Sequence, residues 1–168
     1  MCTIGWVSDR NGCSFNLGSF PTKARLPFSI VKIVLIDDLE SWRRFAASSL
    51  EERPEFRIVG EAADGLEAVQ KVKELQPDLI LLDIGLPKLN GIEAAKRIRE
   101  CAPKTRILFF SQNCSRDIAE EAMRTGDGYV VKSEASYDLL PAVQAVLQGK
   151  QFRSTLLSSE RRSKMNEK

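Results

Sequence analysis

The residues Leu79–Leu82 form an unbroken run of leucine and isoleucine between two aspartates, Asp78 and Asp83. A continuous apolar run of this length is typical of a strand that is buried on both faces, as in a parallel sheet. Parallel neighbours need a crossover connection, which is usually a helix. The run therefore favours folds in which strands and helices alternate along the chain.

Four more short apolar runs repeat this pattern, and apolar residues at helical spacing follow each run. Pro54, Pro77, Pro103 and Gly149 lie where four of the helices should end. The predicted strands are Val31–Ile36, Phe56–Val59, Leu79–Leu82, Ile107–Phe110 and Tyr129–Val131. Five strands alternating with five helices predict an α/β fold, a doubly wound five-stranded parallel sheet with helices on both faces.

The composition excludes several kinds of chemistry. None of the 168 residues is histidine, which excludes a catalytic triad, a histidine-based zinc site and a phosphohistidine carrier. The four cysteines form no CxxC pair, and we interpret them as reduced thiols of a cytoplasmic protein. No apolar run approaches the roughly 18 residues of a membrane-spanning helix, so no membrane association is expected.

The two ends of the chain differ from the middle. Residues 1–30 mix Gly, Ser, Asn, Thr and Pro with scattered aromatics, and we interpret them as a flexible leader. VKIVLIDD reads like a native start at Val31, so one hypothesis is that the leader is a start-site artefact. Residues 31–150 form the predicted domain, and residues 151–168 form a basic, linker-like tail.

Five polar residues follow the ends of four predicted strands: Asp37, Asp38, Asp83, Ser111 and Lys132. In open parallel sheets, functional sites lie beyond the carboxyl ends of the strands, so these side chains should converge. Taken singly, each has an ordinary interpretation. The aspartates could cap helices or loops, Ser111 could be a loop hydroxyl, and Lys132 could be a solvated surface lysine.

Together, the five residues are harder to explain as ordinary surface groups. Two carboxylates about 4 Å apart repel each other by about 4 kcal/mol at an effective dielectric constant near 20. Mg2+ relieves such repulsion, because it binds carboxylates together with phosphate oxygens and water. A metal, a nucleophilic carboxylate, an ammonium and a hydroxyl are the components of a phosphoryl-transfer site.

Four segments carry a family resemblance: VKIVLIDDLE, LILLDIGLPKLNG, LFFSQN and GDGYVVKSEA. In order, residue type and spacing they resemble the receiver domain of bacterial two-component response regulators, over about residues 31–150. The resemblance implies a flavodoxin-like sheet with the strand order 2-1-3-4-5. The segments GIEAAKRIRE and VQAVLQGKQFRS resemble receivers that precede a LuxR-type helix-turn-helix domain. We expect no such domain in this chain, because the residues after Gly149 are too few to form it.

The resemblance also implies the role of each site residue. Asp83 would be the phosphoacceptor, and Lys132 and Ser111 would contact the phosphoryl oxygens. Mg2+ would be held by Asp37, Asp38, Asp83 and the backbone carbonyl of Gly85. Tyr129 would be the aromatic switch residue whose rotamer follows Ser111.

The function predicted from the sequence is a non-enzymatic phosphorelay switch. A histidine kinase or phosphotransfer protein would supply the phosphoryl group, and an output protein would bind the switched face. A weak homodimer is compatible with the subgroup. The alternatives are a truncated LuxR-type transcriptional regulator, a receiver-fold interaction module that works without phosphorylation, and a flavodoxin-type FMN carrier. An FMN carrier would need a phosphate-binding loop after the first strand, but the loop after Ile36 is acidic.

Charge distribution disfavours direct DNA binding. Residues 31–149 carry 16 basic and 20 acidic side chains, whereas residues 150–168 carry six basic and two acidic ones. DNA-binding domains usually present a basic face, and the body of this chain is acidic. We therefore expect no sequence-specific DNA binding, with the basic tail as a solvated linker.

Overall fold

The computed structural model describes residues 29–157, and the predicted leader up to residue 28 and the tail from residue 158 lie outside the described residues. Strands and helices alternate throughout. The strands are β1 Val31–Ile36, β2 Phe56–Ala62, β3 Leu79–Leu82, β4 Arg106–Ser111, β5 Gly128–Val131 and β6 Phe152–Arg153. The helices are α1 Glu40–Glu51, α2 Gly65–Leu75, α3 Gly91–Cys101, α4 Arg116–Ala122 and α5 Ala135–Leu147, with a short 3-10 helix at Lys132–Glu134.

The six strands form one parallel sheet in the order β2-β1-β3-β4-β5-β6. The predicted doubly wound α/β fold and its 2-1-3-4-5 order are confirmed, and β6 adds one strand at the β5 edge. β2 extends past the predicted end at Val59 to Ala62. Its register with β1 shifts by one residue at Val59: Ile33 pairs with Ile58, but Val34 pairs with Gly60.

Helices cover both faces of the sheet and create two apolar clusters. One cluster joins residues such as Val34, Leu82 and Phe109 to α2, α3 and α4. The other joins Ile33 and Phe110 to α1 and α5. Successive strand residues point to opposite faces, which explains why neighbours such as Phe109 and Phe110 belong to different clusters.

Local sequence signals mark the starts of α2 and α3 and the end of α5. Asp64 caps α2 by accepting hydrogen bonds from the backbone N–H groups of Leu66 and Glu67, and Asn90 caps α3 in the same way. After α5, Gly149 adopts a φ of 78°, a left-handed conformation that glycine reaches without strain. Among the described residues, none of the helices has the length and apolar character that a membrane span requires.

The sixth strand begins where the sequence suggested a linker. Gly128 and Tyr129 pair with Phe152 and Arg153. Ser154 is fully buried, and its Oγ accepts a hydrogen bond from the backbone N–H of Val131. The chain immediately after α5 is thus part of the folded domain, at least to Leu157, which packs in the α2–α3–α4 cluster.

Candidate functional site

The carboxyl ends of four strands bring the predicted site residues to one edge of the sheet. Asp37 follows β1, Asp83 follows β3, Ser111 ends β4 and Lys132 follows β5. All four side chains are buried. Because these strands are parallel and adjacent, residues separated by up to 95 positions in the numbering meet in one place, as expected for an open α/β sheet.

Three carboxylates form the acidic part of this site. Oxygen atoms of Asp37, Asp38 and Asp83 all lie within 4.8 Å of one another. Asp38 is exposed, whereas Asp37 and Asp83 are buried. Backbone N–H groups fix the buried pair: Leu39 donates to Oδ1 of Asp37 at 3.0 Å, and Ile84 donates to Oδ1 of Asp83 at 2.7 Å.

The remaining oxygen of each buried carboxylate faces Lys132. Nζ of Lys132 lies 2.5 Å from Oδ2 of Asp37 and 3.2 Å from Oδ2 of Asp83. The lysine side chain is only 1% exposed. An isolated buried ammonium would be costly, and these two carboxylates balance its charge. The ordinary interpretation of Lys132 as a solvated surface residue is therefore wrong.

Burial shapes the electrostatics of the cluster. Burial raises the pKa of Asp37 above its ordinary value, although the adjacent Lys132 ammonium and the N–H of Leu39 oppose this rise. The negative charge of Asp83 adds to the rise. Oδ2 of Asp37 is fully buried and has no hydrogen bond of good geometry within the described residues, so its contact with Lys132 is an ion pair rather than an aligned hydrogen bond.

The donor set suits a hard divalent cation. All three side chains offer carboxylate oxygens, and Oδ2 of Asp37 retains acceptor capacity that no described group fills with a well-aligned bond. Mg2+ prefers oxygen ligands and is commonly bound through one or two carboxylates. The residues present therefore fit the magnesium ion that the sequence suggested.

Ser111 and Tyr129 occupy the β4–β5 side of the site. Ser111 is buried, and its Oγ accepts a hydrogen bond from the N–H of Asn113 at 3.3 Å. The Tyr129 ring is fully buried, and its hydroxyl donates to the carbonyl of Asn113 at 2.7 Å. Burial raises the pKa of Tyr129 to about 12, an effect that the Ser111 hydroxyl opposes. Both side chains thus meet at the loop after β4.

The loop after β3 depends on two close backbone contacts. A Cβ at Gly91 would lie 2.0 Å from the carbonyl oxygen of Asp83, and a Cβ at Gly65 would lie 1.9 Å from the carbonyl oxygen of Leu89. Only glycine permits these approaches. Lys88 has a φ of 63°, and its ammonium contacts Oδ2 of Asp64 at 2.5 Å, which ties the loop to the start of α2.

A cleft gives access to the site from solvent. It has a volume of about 480 Å³. Asp83, Gly85 and Ser111 all line it. The remaining lining residues are Asp38, Leu39, Ile84, Gln112 and Asn113. The cleft leaves room for a small anionic group beside the carboxylates of Asp38 and Asp83 and the hydroxyl of Ser111.

Two sets of contacts around the site were not predicted from the sequence, although Trp42 was expected to lie near the acidic loop. The rings of Trp42 and Phe110 lie 5.4 Å and 5.5 Å from Nζ of Lys132. Arg43 donates to the backbone carbonyl of Asp37 at 2.7 Å and pairs with Glu61. The helical spacing of Trp42 is that of an ordinary core residue. No local motif distinguishes an aromatic ring that faces an ammonium from one that packs only against apolar groups.

Comparison with known proteins agrees with the fold. A family model of the response regulator receiver domain matches residues 33–144. The chain therefore belongs to the response regulator receiver domain family, whose members are phosphorylatable regulators that typically use magnesium. The resemblance noted in the sequence is confirmed.

Two curated relatives and one solved structure illustrate the similarity. The transcriptional regulatory protein DegU of Brevibacillus brevis is 35% identical over 120 residues, covering 71% of this chain and 51% of DegU. The nitrate/nitrite response regulator protein NarL of Escherichia coli K12 is 35% identical over 127 residues, covering 75% of this chain and 59% of NarL. A LuxR-family two-component response regulator from Aurantimonas sp. SI85-9A1 has a crystal structure that superimposes with a TM-score of 0.76 at 34% identity, covering 83% of this chain and 100% of that one.

The matched region is only part of the curated relatives. The chain spans 51% of DegU and 59% of NarL, and the match lies in the receiver domain. What transfers to this chain is the receiver fold and its phosphorylatable character.

Proposed function

We propose that Asp83 is the phosphoacceptor of this receiver domain. The position of its carboxylate supports the proposal most strongly: it is buried at the end of β3, opens into the cleft and has the Lys132 ammonium 3.2 Å from Oδ2. The N–H of Ile84 fixes its other oxygen. Asp83 is thus the carboxylate that is both held in place and open to a donor.

The proposed reaction moves a phosphoryl group from a protein partner to Asp83. A carboxylate oxygen of Asp83 attacks the phosphorus of a phosphohistidine, the O–P bond forms, and the P–N bond breaks with its electron pair remaining on the imidazole nitrogen. The partner, a histidine kinase or phosphotransfer protein, must supply the histidine because this chain contains none. The ammonium of Lys132 and the hydroxyl of Ser111 stabilise the charge on the transferring oxygens.

The proposed magnesium ligands are the carboxylates of Asp37, Asp38 and Asp83 and the backbone carbonyl of Gly85. The clustering of the three carboxylates within 4.8 Å supports this assignment. A bound magnesium ion would supply positive charge for the equatorial phosphoryl oxygens. Arg43 supports the same loop by binding the carbonyl of Asp37.

The proposed output is a shift between two conformations of the β4–β5 side of the domain. Phosphorylation adds negative charge beside three carboxylates, and drawing Ser111 and Lys132 toward the new oxygens relieves the repulsion. Tyr129, which now donates to the Asn113 carbonyl, would follow Ser111. Such a change is a population shift of a two-state element, and an output protein would recognise the shifted face.

Receiver domains are mostly regulators rather than enzymes, and we propose that this one catalyses no reaction on other molecules. The 16 basic and 20 acidic side chains of residues 31–149 oppose binding to the DNA backbone. We therefore propose that this region binds no specific DNA sequence. We further propose a cytoplasmic location and, at most, a weak homodimer that forms on phosphorylation.

Tryptophan fluorescence tests the proposal in the full chain. Trp6→Phe leaves Trp42 as the sole tryptophan, close to the Lys132 ammonium. Beryllofluoride, a phosphoryl mimic, should change its emission in the presence of Mg2+, and EDTA should abolish the change. The response should be absent in Asp83→Asn and retained in the control Asp78→Asn, at the opposite end of β3. A response that survives in Asp83→Asn would refute the assignment.

A further inference from the structure

Two aromatic rings lie against the ammonium of Lys132. Nζ is 5.4 Å from the centroid of the Trp42 ring and 5.5 Å from that of Phe110. A cation within about 6 Å of an aromatic face is attracted by the ring quadrupole, and tryptophan is the strongest partner. The lysine side chain is only 1% exposed, so little water competes with this attraction.

Neighbouring rings hold the Trp42 ring in place. Trp42 meets Phe110 edge to face at a centroid distance of 5.7 Å and an interplanar angle of 86°. It meets Phe45, one turn further along α1, in the same manner at 5.7 Å and 83°. Edge-to-face packing is a favoured aromatic geometry. α1 and β4 therefore present a fixed aromatic surface to the ammonium.

The ammonium is held between two kinds of partner. Its carboxylate partners are Asp37 at 2.5 Å and Asp83 at 3.2 Å, and its aromatic partners are Trp42 and Phe110. Both carboxylates belong to the acidic cluster, whose charge changes during phosphoryl transfer, whereas the two rings do not change their charge. The two rings therefore hold Nζ of Lys132 in the same way before and after phosphoryl transfer.

We propose that Trp42 is a positioning residue for phosphoryl transfer, which acts by holding the Lys132 ammonium at the phosphoryl position through a cation–π contact shared with Phe110. The inference rests on the proposed role of Asp83. A misplaced catalytic group slows a reaction even when it is still present. Weakening the quadrupole of Trp42 should therefore slow phosphorylation without altering the shape of the core.

Fluorinated tryptophans separate this role from ordinary packing. Each added fluorine withdraws electron density from the indole face while leaving the ring size nearly unchanged. In the full chain carrying Trp6→Phe, position 42 would hold tryptophan or its mono-, di- or trifluoro derivative. The rate constant for phosphorylation by acetyl phosphate should fall with each fluorine, by about tenfold across the series. Equal rates throughout the series would overturn the proposal.

A second readout does not depend on phosphorylation. The melting temperature should fall along the fluorine series when Lys132 is present and should stay constant along it in Lys132→Met. Equal trends in both proteins would show that the contact is packing alone and would overturn the proposal. If Trp42 and Lys132 are coupled in melting but wild-type Asp83 takes up no phosphoryl group, the proposed function fails and the positioning role fails with it. Coupled melting with unchanged rates would overturn the positioning role alone.

Discussion

The ammonium of Lys132 lies closer to Asp37 than to Asp83, at 2.5 Å and 3.2 Å respectively. The lysine therefore bridges one carboxylate from the end of β1 and one from the end of β3. Burial raises the pKa of Asp37, and the neighbouring Lys132 ammonium opposes that rise. Lys132 has a structural role in the cluster in addition to its proposed role in phosphoryl transfer.

Lys132→Met should destabilise the domain. Removing one partner of a buried ion pair leaves the other charge uncompensated, which costs about 3–5 kcal/mol. In EDTA at neutral pH, the free energy of unfolding from urea denaturation should fall by about 3 kcal/mol. Lys104→Met, at an exposed lysine, should change it by less than about 0.5 kcal/mol. Equal effects of the two substitutions would show that the bridge contributes nothing.

The proposed coupling role of Lys132 makes a separate prediction. Lys132→Ala keeps the three carboxylates of the cluster, so Mg2+ binding, measured by Trp42 fluorescence in the Trp6→Phe background, should persist. In the wild type, we expect beryllofluoride to slow the hydrogen exchange of the β5 amides. In Lys132→Ala, beryllofluoride should leave this exchange unchanged. Normal protection of β5 in Lys132→Ala would contradict this role.

Gly91→Ala should disturb the loop that follows Asp83. The added Cβ would lie 2.0 Å from the Asp83 carbonyl oxygen, so the backbone of the loop or of α3 must move. We expect a loss of about 2 kcal/mol in the free energy of unfolding. Gly85→Ala is the stability control, because the nearest atom to its added Cβ is 3.8 Å away. A Gly91→Ala protein as stable as Gly85→Ala would contradict the close approach.

The strands could be predicted because each is a short apolar run. The site could be located because polar residues directly follow the ends of four of these strands. The Leu79–Leu82 run is a strand with those bounds, and Asp37, Asp83, Ser111 and Lys132 meet at its edge. β6 was missed because it has only two residues, Phe152 and Arg153. Its pairing with β5 depends on where the chain returns after α5, which no local pattern encodes.

The packing of Lys132 was missed for a different reason. In the sequence, Trp42 has the spacing of any residue on the buried face of α1, and Phe110 has that of any strand residue. Their contact with Lys132 arises from the arrangement of α1, β4 and β5, which are far apart in the chain. Side-chain periodicity assigns a residue to a face but does not identify its partner from another element.

Ser154→Ala should destabilise the β5 edge. Ser154 is fully buried, and its Oγ accepts the N–H of Val131 at 3.0 Å. Leaving that N–H unsatisfied costs about 1–3 kcal/mol, and hydrogen exchange of the Val131 amide should accelerate accordingly. Ser48→Ala, at an exposed serine in α1, should leave both quantities nearly unchanged. Unaltered exchange at Val131 in Ser154→Ala would show that this bond does not anchor the segment.

Asp127→Asn should lower stability in a pH-dependent way. Burial alone would raise the pKa of Asp127, but hydrogen bonds from the N–H of Ile107 and from Arg99 and Arg106 outweigh it and lower the pKa. The resulting stabilisation is fully present above the ordinary pKa of 3.8 and is lost as the pH falls through the lower folded value. At pH 7, urea denaturation should show a loss of about 2 kcal/mol.

The difference between wild type and Asp127→Asn should shrink as the pH falls below about 4. Arg44→Gln is the control, since Arg44 and its partner Glu40 are both largely exposed and such pairs contribute less than about 1 kcal/mol. A loss in Asp127→Asn that stays constant between pH 7 and the acid limit of folding would contradict the linkage.

Mapping of the modified residue tests the central proposal most directly. The full chain would be incubated with acetyl phosphate and Mg2+, the acyl phosphate reduced with borohydride, and the peptides analysed by mass spectrometry. We predict that the reduced residue detected by mass spectrometry is residue 83. This modification should require Mg2+ and should disappear in Asp83→Asn but not in Asp78→Asn. Labelling of a different aspartate, undiminished labelling in EDTA, or no labelling of the folded protein would contradict the account.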